Sequence, residues 1–345
     1  MPASDPYRHL VPLPALAEPA VAVGAEVQPG DELARAVKPG PALSVPLARP
    51  LRRKGTEVID VLSVSPGTLV RANQRMARAG DREVRAPSEA LFLAYEPGSG
   101  SARLLPLEPA DPIRSDVRGI VMEVTAGSIT VAVPAVVING IGGTGPSVSG
   151  PLSILVDDPE APLEPTLIDA DLSGRIVVAG SWASAEAITR ARAVGVAGIV
   201  VGSLHARDLA DFAGLQHRRS LLGTAAPPFA ILALDGFGRA GMDPARFAWL
   251  RDNGEQQATI LGDRRRLLVY DASPAPTRAP RPGVGDRLII VAGPGRGQAG
   301  LLTELPVQAM AIGSGISTLC GTVRLDSGRT VNVALANVEA SLTGG

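Results

Sequence analysis

Cysteine, lysine and aromatic side chains are scarce in this chain of 345 residues, and each scarcity removes a class of function. The single cysteine, Cys320, has no partner for an internal disulfide and cannot build a cysteine-based zinc site. As a lone thiol it reads as a small buried hydrophobe. Lysine occurs only at Lys38 and Lys54, so arginine carries nearly all the positive charge. Aromatic residues make up 3% of the chain, which leaves little material for stacking on bases. The longest apolar run, near Val131–Ile138, contains Pro134 and falls well short of the ~20 residues a membrane-spanning helix needs. The start, Met1-Pro2-Ala3-Ser4-Asp5, has no basic segment leading into an apolar one. No signal peptide is therefore expected, and the chain reads as a cytoplasmic protein with no membrane partner. Net charge is −1, so no global basic field draws nucleic acid to it.

What is abundant is turn chemistry: 39 glycines and 31 prolines among 45% apolar residues, a composition that fits turn-rich β structure in two to four domains. An internal repeat shows this at residue level. Gly24, Val27, Leu33 and Ala34-Arg35-Ala36 recur as Gly67, Val70, Met76 and Ala77-Arg78-Ala79. The physical reading is a strand, a tight turn that needs glycine, and a second strand with alternating apolar positions.

Gly24, Val27, Gly30, Leu33 and Ala34 resemble the glycine-punctuated pattern of the barrel-sandwich hybrid fold of lipoyl and biotinyl domains. In the second copy Asn73 stands where the later glycine would be. Those families carry their cofactor on a lysine at a hairpin tip. Neither Lys38, before Pro39-Gly40, nor Lys54 has the flanking residues of such a site. The resemblance therefore implies the fold without the prosthetic group, and no cofactor is expected.

Residues 151–262 change character. Ile176–Ala179, Gly198–Val201, Phe229–Leu234 and Ala258–Leu261 read as strands. Ala185–Val194 and Pro244–Asp252 read as helices, with Ser184 and Asp243 as caps and Gly195 as a stop. Alternation of strand and helix predicts a βαβ unit on a mainly parallel sheet. The runs Gly174-Arg175-Ile176-Val177-Val178, Gly198-Ile199-Val200-Val201 and Pro228-Phe229-Ala230-Ile231-Leu232 resemble protease-associated and related swivelling β/α domains. Such domains commonly act as lids or interaction modules.

Residues 271–283 form a proline-rich linker. Beyond it, Gly285-Asp286-Arg287-Leu288-Ile289-Ile290 and Gly293-Pro294-Gly295-Arg296-Gly297 resemble the KOW motif of SH3-like barrels, with Arg296 in place of the usual lysine. Leu288, Ile290 and Ala292 share one face by period-two alternation. The long Pro306–Thr318 connection, with its Gly313-Ser314-Gly315 tip, departs from the family and is expected to be a mobile contact tip. The expected whole is a multidomain, β-rich protein: a barrel-sandwich hybrid (1–150), a small α/β domain (151–270), the linker (271–283) and an SH3-like β-barrel (284–345).

The KOW resemblance implies contact with RNA or a ribonucleoprotein around Arg287, Arg296, Gln298, Arg324 and Arg329. The residues themselves add a second candidate. Between 49 and 85 lie nine basic side chains, among them Arg52, Arg53, Lys54, Arg71, Arg75 and Arg78, against Glu57, Asp60, Asp81 and Glu83. On one face they would track a phosphate backbone; otherwise they are a solvated surface. The expected function is non-enzymatic binding of RNA or a ribonucleoprotein. The alternative is a protein–protein scaffold or accessory subunit of a larger enzyme.

Catalytic motifs are missing. Gly140–Gly145 is followed by Pro146 and Pro151 rather than a helix, which favours a turn or bend over a phosphate loop. His205, Asp208, Asp211 and His217 are the best metal candidates, with a charged solvent face as the plainer reading. No nucleophile elbow or zinc-protease motif occurs.

Overall fold

The computed structural model describes residues 6–205, 208, 228–277, 282–305 and 308–340. Strand predominates, in several sheets, and the described residues fall into two compact units. The N-terminal unit comprises Leu10–Ser115 and Ile120–Val131, and the second unit the remainder. No helix among the described residues is long and apolar enough to cross a membrane.

The N-terminal unit uses β1 (Tyr7–Pro12), β2 (Glu18–Pro19), β3 (Glu26–Val27), β4 (Glu32–Arg35), β5 (Val37–Pro39), β6 (Leu43–Pro46), β7 (Leu69–Val70) and β8 (Arg75–Ala79). It continues through β9 (Arg82–Arg85), β10 (Ala90–Glu96), β11 (Ser101–Pro109), β12 (Ile113–Arg114), β13 (Gly119–Val124) and β14 (Ser128–Val133). Helix α1 (Ala48–Leu51) and a 3-10 turn at Gly55–Val61 lie between β6 and β7.

The strand orders repeat. One sheet runs β1-β14-β13-β3 and another β6-β11-β10-β7; β4 pairs β12 and β2, as β8 pairs β9 and touches Leu62. The match extends to single hydrogen bonds. Gly24 N–H donates to Val121 O as Gly67 N–H does to Phe92 O, both at 2.8 Å. Gly30 N–H donates to Ser115 O as Asn73 N–H does to Ala86 O, again at 2.8 Å. Val27, Leu33 and Ala34 are buried, and so are Val70, Met76 and Ala77. The repeat in the sequence is thus one hairpin of a larger duplication, in which the second copy is inserted between β4 and β12 of the first.

Asn73 explains how the second copy manages without its glycine. Its φ is +63°, where Gly30 has +95°, and asparagine is among the few residues that enter this region at small cost.

The second unit holds β15 (Ala135–Asn139), β16 (Gly142–Thr144), β17 (Val148–Ile154), β18 (Ile176–Val178), β19 (Gly198–Leu204), β20 (Ala230–Phe237), β21 (Gln257–Leu261) and β22 (Arg266–Tyr270). They form one sheet in the order β15-β22-β21-β17-β18-β19-β20-β16. The run β17 to β20 is parallel and the rest antiparallel. The two predicted helices lie where the spacing puts them, as α2 (Ala185–Val194) and α3 (Pro244–Asp252). Ser184 Oγ accepts from Ala187 N–H at 3.1 Å and Asp243 Oδ1 from Arg246 N–H at 2.8 Å, which satisfies end groups of each helix. One apolar layer lies around Ile188, Ala191, Ile199 and Ile231; another lies around Leu152, Phe247, Leu250 and Ile260.

Two expectations change here. Residue 150, where a boundary is expected, lies inside β17, and β15 pairs with β22 across the whole α/β segment. Gly142 to Thr144 is an edge strand against β20 rather than a turn or bend. The approach is close: a Cβ on Gly143 would sit 2.9 Å from Ile231 O.

The chain ends in β23 (Arg287–Ile290), β24 (Ala299–Glu304), β25 (Ala309–Ala311), β26 (Ser317–Leu325), β27 (Thr330–Ala334) and β28 (Val338–Ala340). The order is β25-β26-β24-β23-β28, with β27 also on β26, giving a half-barrel. Leu288, Ile290, Leu302, Val323, Leu325, Val333 and Val338 fill it. The segment is tied to the α/β sheet by a buried side chain. Phe237 N–H donates to Asn337 Oδ1 at 2.8 Å, and Asn337 Nδ2 donates to Phe237 O at 2.9 Å. In the Pro306–Thr318 connection Ile316 packs on the α2-side core and Ser314 is buried, while Gly313 and Gly315 on either side of Ser314 are exposed.

A histidine is enclosed in the same unit. His9 is 2% exposed, and Arg264 Nη1 lies 3.4 Å from its Nδ1. Burial, then the nearby charges of Arg264 and Arg266, lower its pKa to about 4.

Candidate nucleic-acid interface

The basic side chains of residues 49–85 occupy neighbouring elements. Helix α1 packs against β9, and β9 pairs with β8. Arg52 closes α1 with φ +51°, and the Arg53 amide donates to Ala48 O at 3.1 Å. Lys54 follows, its amide 3.3 Å from Glu57 Oε2. This short turn therefore directs Arg52, Arg53 and Lys54 to solvent beside β9, and all three are exposed.

On the hairpin, Arg75 stands opposite Arg85 and Ala79 opposite Arg82, with a bulge between Arg75 and Ala77. The register buries Met76 and Ala77 and leaves Arg75 and Arg78 exposed. Arg71 heads the turn that leads from β7 into β8, where its amide donates to Gln74 Oε1 at 2.9 Å. Like charges facing each other across a ladder destabilise it, so this end of the module favours an anion nearby. Arg85 is partly offset: it pairs with Glu83 at 2.7 Å and donates to Asn73 O at 2.9 Å. Arg78 Nε donates to Gly80 O at 3.0 Å. Among the described residues no carboxylate lies within ion-pair distance of Arg52, Arg53, Lys54, Arg71, Arg75 or Arg78.

The sequence-predicted residues in the C-terminal half-barrel are differently placed. Arg287 pairs with Asp326 at 2.5 Å, and Arg296, in the loop between β23 and β24, pairs with Glu160 at 2.8 Å. Gln298, Arg324 and Arg329 are exposed. Exposed pairs of this kind are worth roughly 0–1 kcal/mol, so a polyanion could displace them, at a small cost the α1/β8/β9 cluster does not incur. The two sets belong to separate compact units.

The metal candidates do not assemble among the described residues. His205 Nδ1 lies 4.0 Å from Asp208 Oδ2, while Asp211 and His217 lie outside the described residues. No described group of three His, Cys, Asp or Glu side chains is placed to hold an ion. Cys320 is buried, and burial raises its thiol pKa.

Arg49, Arg82 and Arg85 belong to the same 49–85 charge run and lie beside the other predicted residues because α1 meets β9. That meeting is what the sequence does not signal, since a four-residue helix has too little periodicity to declare its neighbours. No protein-family model matches the chain, and no curated protein matches it.

Proposed function

We propose that this chain is a non-enzymatic binding protein that contacts RNA, free or in a ribonucleoprotein, through the α1/β8/β9 end of its N-terminal unit. In this reading the two nested copies are barrel-sandwich hybrids, the mixed sheet with its parallel β17–β20 run belongs to a swivelling α/β domain, and the C-terminal segment is a KOW-type barrel. The observation that carries the functional part is the grouping of Arg52, Arg53, Lys54, Arg71, Arg75 and Arg78 on adjoining elements, with no carboxylate partner among the described residues. No Phe, Tyr or Trp lies between residues 49 and 85, so backbone phosphate rather than base stacking is the target.

Filter binding of single-stranded RNA to the full chain over a range of salt tests this. Six phosphate contacts give a log–log slope of roughly −4 for a single strand. Binding that is absent at low salt, or indifferent to salt, rules the reading out.

A second reading has its own observation. Ile289, Leu305, Met310 and Leu319 are each 41–47% exposed on the half-barrel, an apolar set suited to a protein partner. Pull-down from the native host that recovers nucleic acid but no stoichiometric protein counts against it.

A further inference from the structure

The duplication lets one copy act as a reference for the other, because equivalent residues keep the fold while their charges differ. Arg85 Nη1 donates to Asn73 O at 2.9 Å, and Arg114 Nη1 donates to Gly30 O at 2.7 Å, across the same turn in the two copies. That arginine is common to both and holds the turn. At the turn itself Gln28 N–H donates to Asp31 Oδ2 at 2.7 Å, as Arg71 N–H donates to Gln74 Oε1 at 2.9 Å. The second copy thus keeps the hydrogen bond while exchanging a carboxylate for an amide. Gln28 becomes Arg71, and Glu32 becomes Arg75. In the first copy Glu32 Oε1 lies 3.4 Å from Arg35 Nε; in the second the place of Glu32 is taken by Arg75, so the equivalent arginine, Arg78, has no carboxylate at that position. The inserted copy also carries Arg52, Arg53 and Lys54 in the connection after β6. The corresponding connection of the first copy, after β1, is only Leu13–Ala17 and has no basic residue.

We propose that RNA contact is confined to the inserted copy, with Arg71 and Arg75 as the residues that distinguish it, and that the matching turn of the first copy does not bind. Arg85 is a positioning residue of the turn in this scheme. The proposal rests on the RNA-binding reading above and narrows it to one of two like-folded surfaces.

The test is to write the first copy's residues into the second. The variant Arg71→Gln/Gln74→Asp/Arg75→Glu places on this turn the three side chains that the first copy already accommodates. Binding of a fluorescein-labelled oligouridylate to the full chain is measured by anisotropy over a salt series. The expected result is at least tenfold weaker binding at low salt. The slope falls by roughly 1.4, since two phosphate contacts are lost. The reciprocal variant, Gln28→Arg/Asp31→Gln/Glu32→Arg, is expected to tighten binding or add a second oligonucleotide per chain. It also keeps the test open if the first variant does not fold. If the wild type binds with a steep slope and neither variant changes it, the contact lies elsewhere: the proposal is overturned while the RNA-binding reading stands. If the wild type shows no salt-dependent binding, the RNA reading itself fails.

Discussion

Acidification should weaken the second unit through one side chain, His9. Its imidazole is 2% exposed beside Arg264 and Arg266, and its pKa in the folded chain is about 4. In the unfolded chain it returns to 6.5. Between those values the unfolded state binds a proton that the folded state does not, so stability is fully present above pH 6.5 and falls as pH drops. The slope is about 1.4 kcal/mol per pH unit, which makes the loss roughly 2 kcal/mol by pH 5, with a limit of about 3 kcal/mol below pH 4. The measurement is urea-induced unfolding of the wild type and of His9→Gln at pH 7.5 and pH 5. Ionisations elsewhere cancel in the difference, so the glutamine variant should lose about 2 kcal/mol less on acidification than the wild type does. NMR titration of the His9 ring protons in the folded protein reads the same quantity directly. A His9 resonance that titrates near pH 6.5, or equal pH dependence in the two proteins, would refute the reasoning.

Removing the Asn337 amide should loosen the C-terminal half-barrel. Asn337→Ala strands the buried N–H and C=O of Phe237, at about 1–3 kcal/mol for each group, and faster limited proteolysis after residue 282 reads the effect. At the turn of the inserted copy, Asn73→Gly should leave stability within about 0.5 kcal/mol. Asn73→Val, β-branched at φ +63°, should cost roughly 1–2 kcal/mol by denaturant melts.

How much of this was legible beforehand depends on the range of each interaction. Helices α2 and α3 were readable because Ser184, Gly195, Asp243 and Pro244 act within one turn of themselves. The repeated hairpin was readable because its turns require particular residues, Gly24 and Gly67 above all, each with φ above +80°. The remainder of the duplication was not. Val121 and Phe92 fill equivalent places, yet share nothing but apolarity, and the pairing that equates them is long-range. The basic cluster was half legible: its residues were visible as a charge run, but their meeting depends on α1 packing against β9. The engagement of Arg296 by Glu160 could not be read, since the two are distant in the chain and each looks like an ordinary exposed charge. Nor could Asn337, whose side chain completes the hydrogen bonding of a residue in a different sheet.

One copy lying inside the other sets an order of events during synthesis. Val27, Leu33 and Ala34 emerge early, but the strands that pair with them, β12 and β13, come only after the whole inserted copy has been made. The inserted copy has its own strand partners close by and can condense first, while the outer hairpin waits with its apolar side uncovered. Closing the outer copy then joins segments separated by a folded body rather than by loose chain, which shortens the span its ends must search. The hairpin made ahead of the inserted copy is therefore sealed after it.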